Sequence, residues 1–291
     1  MKDYIFLNGS ILSEKEGYIT AQDRGFLYGD SLFETLRSYN GDPFKLTEHL
    51  NRLRSSARKL RIPFVFTDQY CRNAVHTLIK KNNLTDAYIR ITLSRGSGSR
   101  GLVMTDNPEP TLLIVVKALT PYPKELYEKG MSIIVSKSKR STSCPISCHK
   151  TTNLLTTILI KEEVENRSAD DALLLNTDRD VMECTVSNIF MVKDKGVITP
   201  PLDTNILPGI TRKTVLKICK NMNLLVKEER FRVETLLRAD EVFITNSLME
   251  IMPISRIEEN EIGNGIPGEM TTVLMNAYKD LTKRDFSHFN K

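Results

Sequence analysis

The chain has 291 residues, 40% of them hydrophobic and 26% charged, proportions that exclude collagen-like, low-complexity and largely disordered classes. Its 41 basic and 36 acidic residues leave a net charge of +5. That excess is too mild to imply a nucleic-acid partner, since such binders gather basic residues with aromatics on one surface, and a small anionic ligand explains it equally well. Apolar runs such as Leu112–Val116 fall far short of the ~20 residues of a membrane span. Met1–Tyr4 lacks the layout of a signal peptide, so a cytoplasmic protein is expected.

Tyr4–Leu7, Asn8-Gly9 and Ser10–Leu12 read as strand, turn and strand, because Asn-Gly between apolar runs is a strong hairpin signal. Leu46, Leu50, Leu53, Ala57 and Leu60 recur at spacings of three and four. They predict a helix over 47–61, with Thr47 as its cap and Arg52 off the apolar stripe. A helix over 68–82, a strand over 87–94, a Gly/Ser/Arg loop over 95–101 and a strand over 111–117 follow.

Thr120-Pro121-Tyr122-Pro123 combines two prolines with little periodicity and places a domain boundary near 120. The expected division is a small domain over 1–120, a linker over 121–127 and a larger domain over 128–291. The second half begins with a strand at 131–135 and a helix over 151–166, with Leu154, Leu155, Ile158 and Leu159 on one side. Strands at 171–176, 185–192 and 241–245 and helices at 210–223, 233–238 and 269–284 complete it. Mixed strands and helices in both halves indicate α/β or α+β layering.

The five cysteines are scattered and odd in number, which argues for reduced thiols rather than a disulfide framework. Cys144, Cys148 and His149 lack the second ligand pair of a structural zinc site, and no metal is expected. Arg95–Gly101 fits neither a Walker loop nor a dinucleotide fingerprint; it is a flexible hairpin tip or, through Arg95 and Arg100, an anion site. None of the four histidines sits in a hydrolase or zinc-protease setting. That leaves lysine and a borrowed cofactor, and Lys150 stands at the junction between a polar, proline-containing stretch and an amphipathic helix.

Five segments, in order, resemble the fold-type IV pyridoxal-phosphate enzymes across essentially the whole chain. They are Asp23–Asp30 with Phe33–Arg37, His49–Leu53, His149–Asn153, Glu183–Phe190 and Leu207–Arg212. The family includes branched-chain and D-amino-acid aminotransferases and aminodeoxychorismate lyases. The resemblance implies a two-domain fold: a small N-terminal α/β domain, and a larger C-terminal domain whose β-barrel-like sheet is flanked by helices. It also implies a homodimer.

By the same resemblance, Lys150 is the lysine that carries pyridoxal 5'-phosphate and moves protons at the substrate. A flexible amine whose pKa its site can lower suits both tasks. Glu183 is the acid beside the pyridine nitrogen. Arg52 holds the cofactor phosphate, together with the helix start at Gly209, Ile210 and Thr211 and the hydroxyl of Ser247. Ser187, Asn188 and Asn246 complete the cofactor set. Tyr28, Phe33, Thr35, Arg37, Arg90, Arg100 and Asn246 form the substrate set, with Thr35 also catalytic.

Thr35, Asn246 and the run Thr245–Pro253 resemble the lyases, as does the loop Ser94–Gly101. They imply conversion of 4-amino-4-deoxychorismate to 4-aminobenzoate and pyruvate in folate synthesis. Tyr28, Phe33, Arg37 and the strand Tyr88-Ile89-Arg90 resemble branched-chain aminotransferases, and Arg100 resembles the carboxylate-binding arginine of the D-amino-acid enzymes. Leu102 stands where the latter often carry histidine. An aminotransferase using 2-oxoglutarate is the alternative.

Overall fold

In a computed structural model of the chain, the described residues are 3–98, 101–104 and 108–284. They form two compact units, Met1–Thr120 with His149–Asn153, and Pro121–Cys148 with Leu154–Lys291. Arg100, expected to bind substrate, lies outside the described residues.

The first unit runs β1 (Tyr4–Leu7), β2 (Ser10–Ser13), α1 (Arg24–Tyr28), β3 (Ser31–Tyr39), β4 (Asp42–Pro43), α2 (Leu46–Lys59), α3 (Asp68–Lys81), β5 (Ala87–Ser97) and β6 (Glu109–Ala118). Its six-stranded antiparallel sheet has the order β2-β1-β6-β5-β3-β4. Strand alternation puts Leu32 and Leu36 of β3 and Ile89, Ile91 and Leu93 of β5 on one face. There they pack with Leu46, Leu50, Leu53 and Ala57 of α2 and Val75 and Leu78 of α3. The opposite face carries Phe33, Thr35 and Arg37, paired in register with Thr92, Arg90 and Tyr88.

The helix expected from 47 begins at Leu46. Its N-cap is Lys45 in a left-handed conformation, and Thr47 instead accepts a hydrogen bond from Arg72. The loop expected over 95–101 is shorter, because β5 continues to Ser97 through a register shift against β6.

His149–Asn153 join this unit through the main chain. Phe33 donates to the Lys150 carbonyl over 2.8 Å and Thr152 to the Ser31 carbonyl over 3.1 Å. Asn153 donates to the carbonyl of Gly29, whose φ of 66° closes α1; a Cβ there would lie 2.7 Å from the Asn153 side chain. These bonds hold 151–153 out of the helix expected from 151, so α5 (Leu155–Asn166) begins later.

The second unit runs α4 (Lys124–Lys129), β7 (Met131–Arg140), α5, β8 (Asp171–Asn176), β9 (Val181–Cys184), β10 (Asn188–Lys193), β11 (Gly196–Thr199), α6 (Ile210–Asn221), β12 (Val226–Glu228), α7 (Val233–Leu236), β13 (Glu241–Asn246), β14 (Glu250–Ile257), β15 (Asn260–Glu261) and α8 (Glu269–Arg284). Strands β10-β13-β14-β7-β8-β9 are consecutive neighbours, and a β9–β10 pairing closes them into a six-stranded barrel. β11 and β12 extend the sheet from β10. Met131, Ile133, Leu173, Val181, Ile189, Met191, Val242, Ile244 and Met252 fill a core cluster.

The stretch expected as a linker contains most of α4. The strand expected over 185–192 begins at Asn188, after a turn in which Cys184 donates to the Ser187 carbonyl. The expected apolar side of α5 faces outward. Leu155, Ile158 and Leu159 are exposed, while Ile160 and Val164 pack on Ile134, Ala172 and Leu174.

Candidate active site

In the first unit, α2 carries a polar stripe beside its apolar one. His49, Arg52 and Ser56 recur at spacings of three and four, on the flank nearest β3 and the Lys150 segment. Glu34 projects from the core face of β3 and is buried at 1% exposure. Arg52 grips it in bidentate fashion, Nε to Oε1 at 2.8 Å and Nη2 to Oε2 at 2.6 Å, while His49 Nδ1 lies 2.7 Å from Oε2. Burial alone would raise the Glu34 pKa, but the charge and hydrogen bonds of Arg52 and the bond from His49 outweigh it and hold it at about 2. Glu34 is therefore a carboxylate, and His49 donates to it through Nδ1. Burial pushes the His49 pKa down against the pull of Glu34. Ser56 Oγ is 2.9 Å from Nδ1 of His149, beside Lys150.

On the opposite face of the sheet, Lys150 Nζ sits 4.5 Å from the centre of the Phe33 ring. The Arg90 guanidinium covers the same ring at 3.9 Å. Arg90 is the register partner of Thr35, and Arg37 lies over the Tyr39 ring at 4.3 Å. Five expected residues, Lys150, Phe33, Thr35, Arg37 and Arg90, thus belong to one surface.

Tyr28 is engaged elsewhere in this unit. Its hydroxyl accepts from the Gly101 N–H over 3.1 Å and its ring lies beneath Arg24. The Asp23–Asp30 motif builds the scaffold around it. Asp23 caps α1 and accepts from the hydroxyls of Ser94 and Thr111. Asp30 pairs with Arg24 and Arg95, so Arg95 braces the fold.

In the second unit, Glu183, Asn188 and Thr245 stand in one cross-strand row over β9, β10 and β13. Arg140 Nη1 donates to Glu183 Oε1 at 2.6 Å, and the Leu207 N–H and Asn188 Nδ2 donate to Oε2. Asn188 Nδ2 also reaches the Leu207 carbonyl at 2.9 Å. Gly209 is the N-cap of α6, and no side chain caps it, so the first-turn N–H groups of Ile210 and Thr211 lie at the positive end of the helix dipole without a side-chain cap. A Cβ on Gly209 would fall 2.0 Å from Asn188 Oδ1. Asn246 Oδ1 accepts from the N–H groups of Leu248 and Met249 and so shapes the turn carrying Ser247. Ser187 is buried. The Thr245 hydroxyl oxygen is buried with no hydrogen-bond partner among the described residues.

This donor set fits a phosphorylated pyridine. It offers a carboxylate braced by donors on both oxygens, an uncapped helix start behind a glycine that admits no side chain, and a buried hydroxyl with an unmet bond.

The chain belongs to the amino-transferase class IV family, whose model matches residues 31–257. A protein of Methanocaldococcus jannaschii, provisionally named a branched-chain-amino-acid aminotransferase, is 37% identical over 278 residues, covering 95% of this chain and 96% of its own. The aminodeoxychorismate lyase of Bacillus subtilis is 34% identical over 277 residues, covering 94% of this chain and 93% of its own. The solved structure of a branched-chain amino acid aminotransferase from T.th., with pyridoxamine 5'-phosphate, matches with a TM-score of 0.92 at 27% identity, covering 99% of this chain and 97% of that one. The protein is an enzyme of the fold-type IV class, and the cofactor of its family is pyridoxal 5'-phosphate.

Glu34, His49 and Thr245 lie within segments that carry the resemblance but have no role assigned from sequence, and Arg140 has none either. For Glu34 and His49 the available signal was the second, polar 3–4 period of α2, which predicts a buried polar partner on the strand it covers.

Proposed function

We propose that the enzyme is an aminodeoxychorismate lyase, releasing 4-aminobenzoate and pyruvate from 4-amino-4-deoxychorismate. The observation that carries this reading is Thr35 opposite Arg90 on the sheet face that holds Phe33, Arg37 and Lys150. A hydroxyl on the sheet face that also carries Arg37 and Arg90 suits a polar ring bearing carboxylates. An aliphatic side chain placed there would leave those groups without partners, which is where enzymes discriminate most strongly.

In this reading Arg52, the start of α6 behind Gly209, and Ser247 hold the cofactor phosphate; Glu183, braced by Arg140 and Asn188, holds the pyridine nitrogen; Lys150 carries the cofactor. Once bound, pyridoxal phosphate withdraws electrons from the carbon bearing the substrate amine. Lys150 Nζ takes the proton from that ring carbon and delivers it to the departing enolpyruvyl group, whose C–O bond to the ring breaks. Arg37 and Arg90 bind the carboxylates, and the Thr35 hydroxyl orients the group that leaves as pyruvate. Aromatisation of the ring drives its departure.

The reading includes a homodimer, supported by the exposed apolar side chains of Phe26, Leu102 and Val103 in the first unit and of Leu155 and Ile158 in the second. It includes a cytoplasmic location, which suits the five free thiols. No helix among the described residues is long and apolar enough to cross a membrane.

The second reading is an aminotransferase for branched-chain or D-amino acids with 2-oxoglutarate. The Methanocaldococcus relative favours it, and the same two arginines suit a dicarboxylate acceptor. Two assays on one preparation decide: 4-aminobenzoate release from aminodeoxychorismate, and amino transfer from L-leucine or D-alanine to 2-oxoglutarate. Release is expected; transfer without release overturns the lyase reading.

A further inference from the structure

We propose that Glu34 and His49 are positioning residues for the cofactor phosphate, acting through Arg52. The inference rests on the assignment of Arg52 to that phosphate. Glu34 is a buried carboxylate on the core face of β3, among Leu32, Leu36 and Ile91. For stability alone a well-packed apolar residue serves such a position as well as a buried ion pair. What only the carboxylate supplies is a fixed plane and direction for the Arg52 guanidinium, through two parallel hydrogen bonds on one edge. An arginine on its flexible stem otherwise loses rotamer freedom when it grips an anion, and a guanidinium held beforehand avoids that cost. His49 fixes the carboxylate in turn, its ring donating to the Oε2 that Arg52 Nη2 also meets. Ser56, one turn beyond Arg52, bonds His149 next to Lys150. The polar flank of α2 thus aligns the phosphate arm with the segment that bears the lysine, all within the first unit.

The test titrates the full-length chain, stripped of cofactor, with pyridoxal phosphate and with phosphate-free pyridoxal, read by absorbance. Glu34→Gln is expected to weaken pyridoxal phosphate binding about tenfold, the scale of one charge-assisted hydrogen bond, and to leave pyridoxal binding unchanged. His49→Ala is expected to weaken pyridoxal phosphate alone, and His49→Asn, which restores a donor toward Glu34, to recover it. Equal losses for both ligands, or no loss, overturn the proposal, because a merely structural role does not distinguish them. Should Glu34→Gln fail to fold, the two His49 variants decide, and identical behaviour of the pair overturns it. Arg52→Gln separates the underlying reading. If that variant keeps the wild-type preference for the phosphorylated ligand, the Arg52 assignment fails. If it loses the preference while Glu34→Gln keeps it, only the positioning role fails.

Discussion

Asn188 lies directly opposite Glu183 in the strand pair that closes the barrel, and its side-chain amide donates to the Glu183 carboxylate over 3.1 Å. The same amide holds the Leu207 carbonyl, and its oxygen occupies the space a side chain on Gly209 would need. One residue thereby couples the acid expected at the pyridine nitrogen to the turn that opens α6.

Asn188→Ala leaves a buried carboxylate oxygen and a carbonyl each short of a donor. The expected cost is about 2 kcal/mol, with weaker pyridoxal phosphate binding. Chemical denaturation and a cofactor titration measure the two. Gly209→Ala is expected to weaken cofactor binding comparably by pushing Asn188 aside. Wild-type affinity in both variants would show that this coupling does not matter to the site.

Lys150→Ala is expected to abolish covalent attachment of the cofactor and the visible absorption that accompanies it. Borohydride treatment followed by mass measurement checks this. A reducible adduct that persists in the variant removes Lys150 from its role.

Thr35→Gly removes the hydroxyl from the sheet face that carries Arg37 and Arg90 while leaving Lys150 in place. Release of 4-aminobenzoate is expected to fall about tenfold, the equivalent of one lost hydrogen bond at ~1.4 kcal/mol. Unchanged turnover would exclude Thr35 from catalysis.

Glu34 makes acid stability a readout of the α2 network. Its pKa is about 2, against an ordinary 4.5. A depressed carboxylate stabilises the fold above its unfolded value, and that contribution disappears as pH falls through the folded one. The difference corresponds to ~3 kcal/mol, lost between about pH 5 and pH 2. Unfolding curves of wild type and Glu34→Gln across that window are expected to converge as the pH drops. Curves that stay parallel would contradict the assignment.

Local chemistry made much of this protein legible before folding. Asn8-Gly9 sets a hairpin because both residues accept positive φ, 46° and 99° in the structure. The apolar period of α2 marks its core face, and the resemblance to the fold-type IV enzymes singles out Lys150 and Glu183 within their motifs. These are properties of short segments, and short segments carry them in any context.

Pairing between distant segments is different, because it depends on register and packing that no local pattern encodes. The outward apolar face of α5 misled the periodicity argument, since an apolar side shows amphipathicity but not which side meets the core. The placement of His149–Asn153 with the first unit follows from main-chain bonds to Ser31 and Phe33, which have no sequence signature. The meeting of Glu34, His49 and Arg52 required β3 to lie under α2. Only there does burial turn three ordinary polar residues into a charged network, because a carboxylate removed from water must find its partners in the fold.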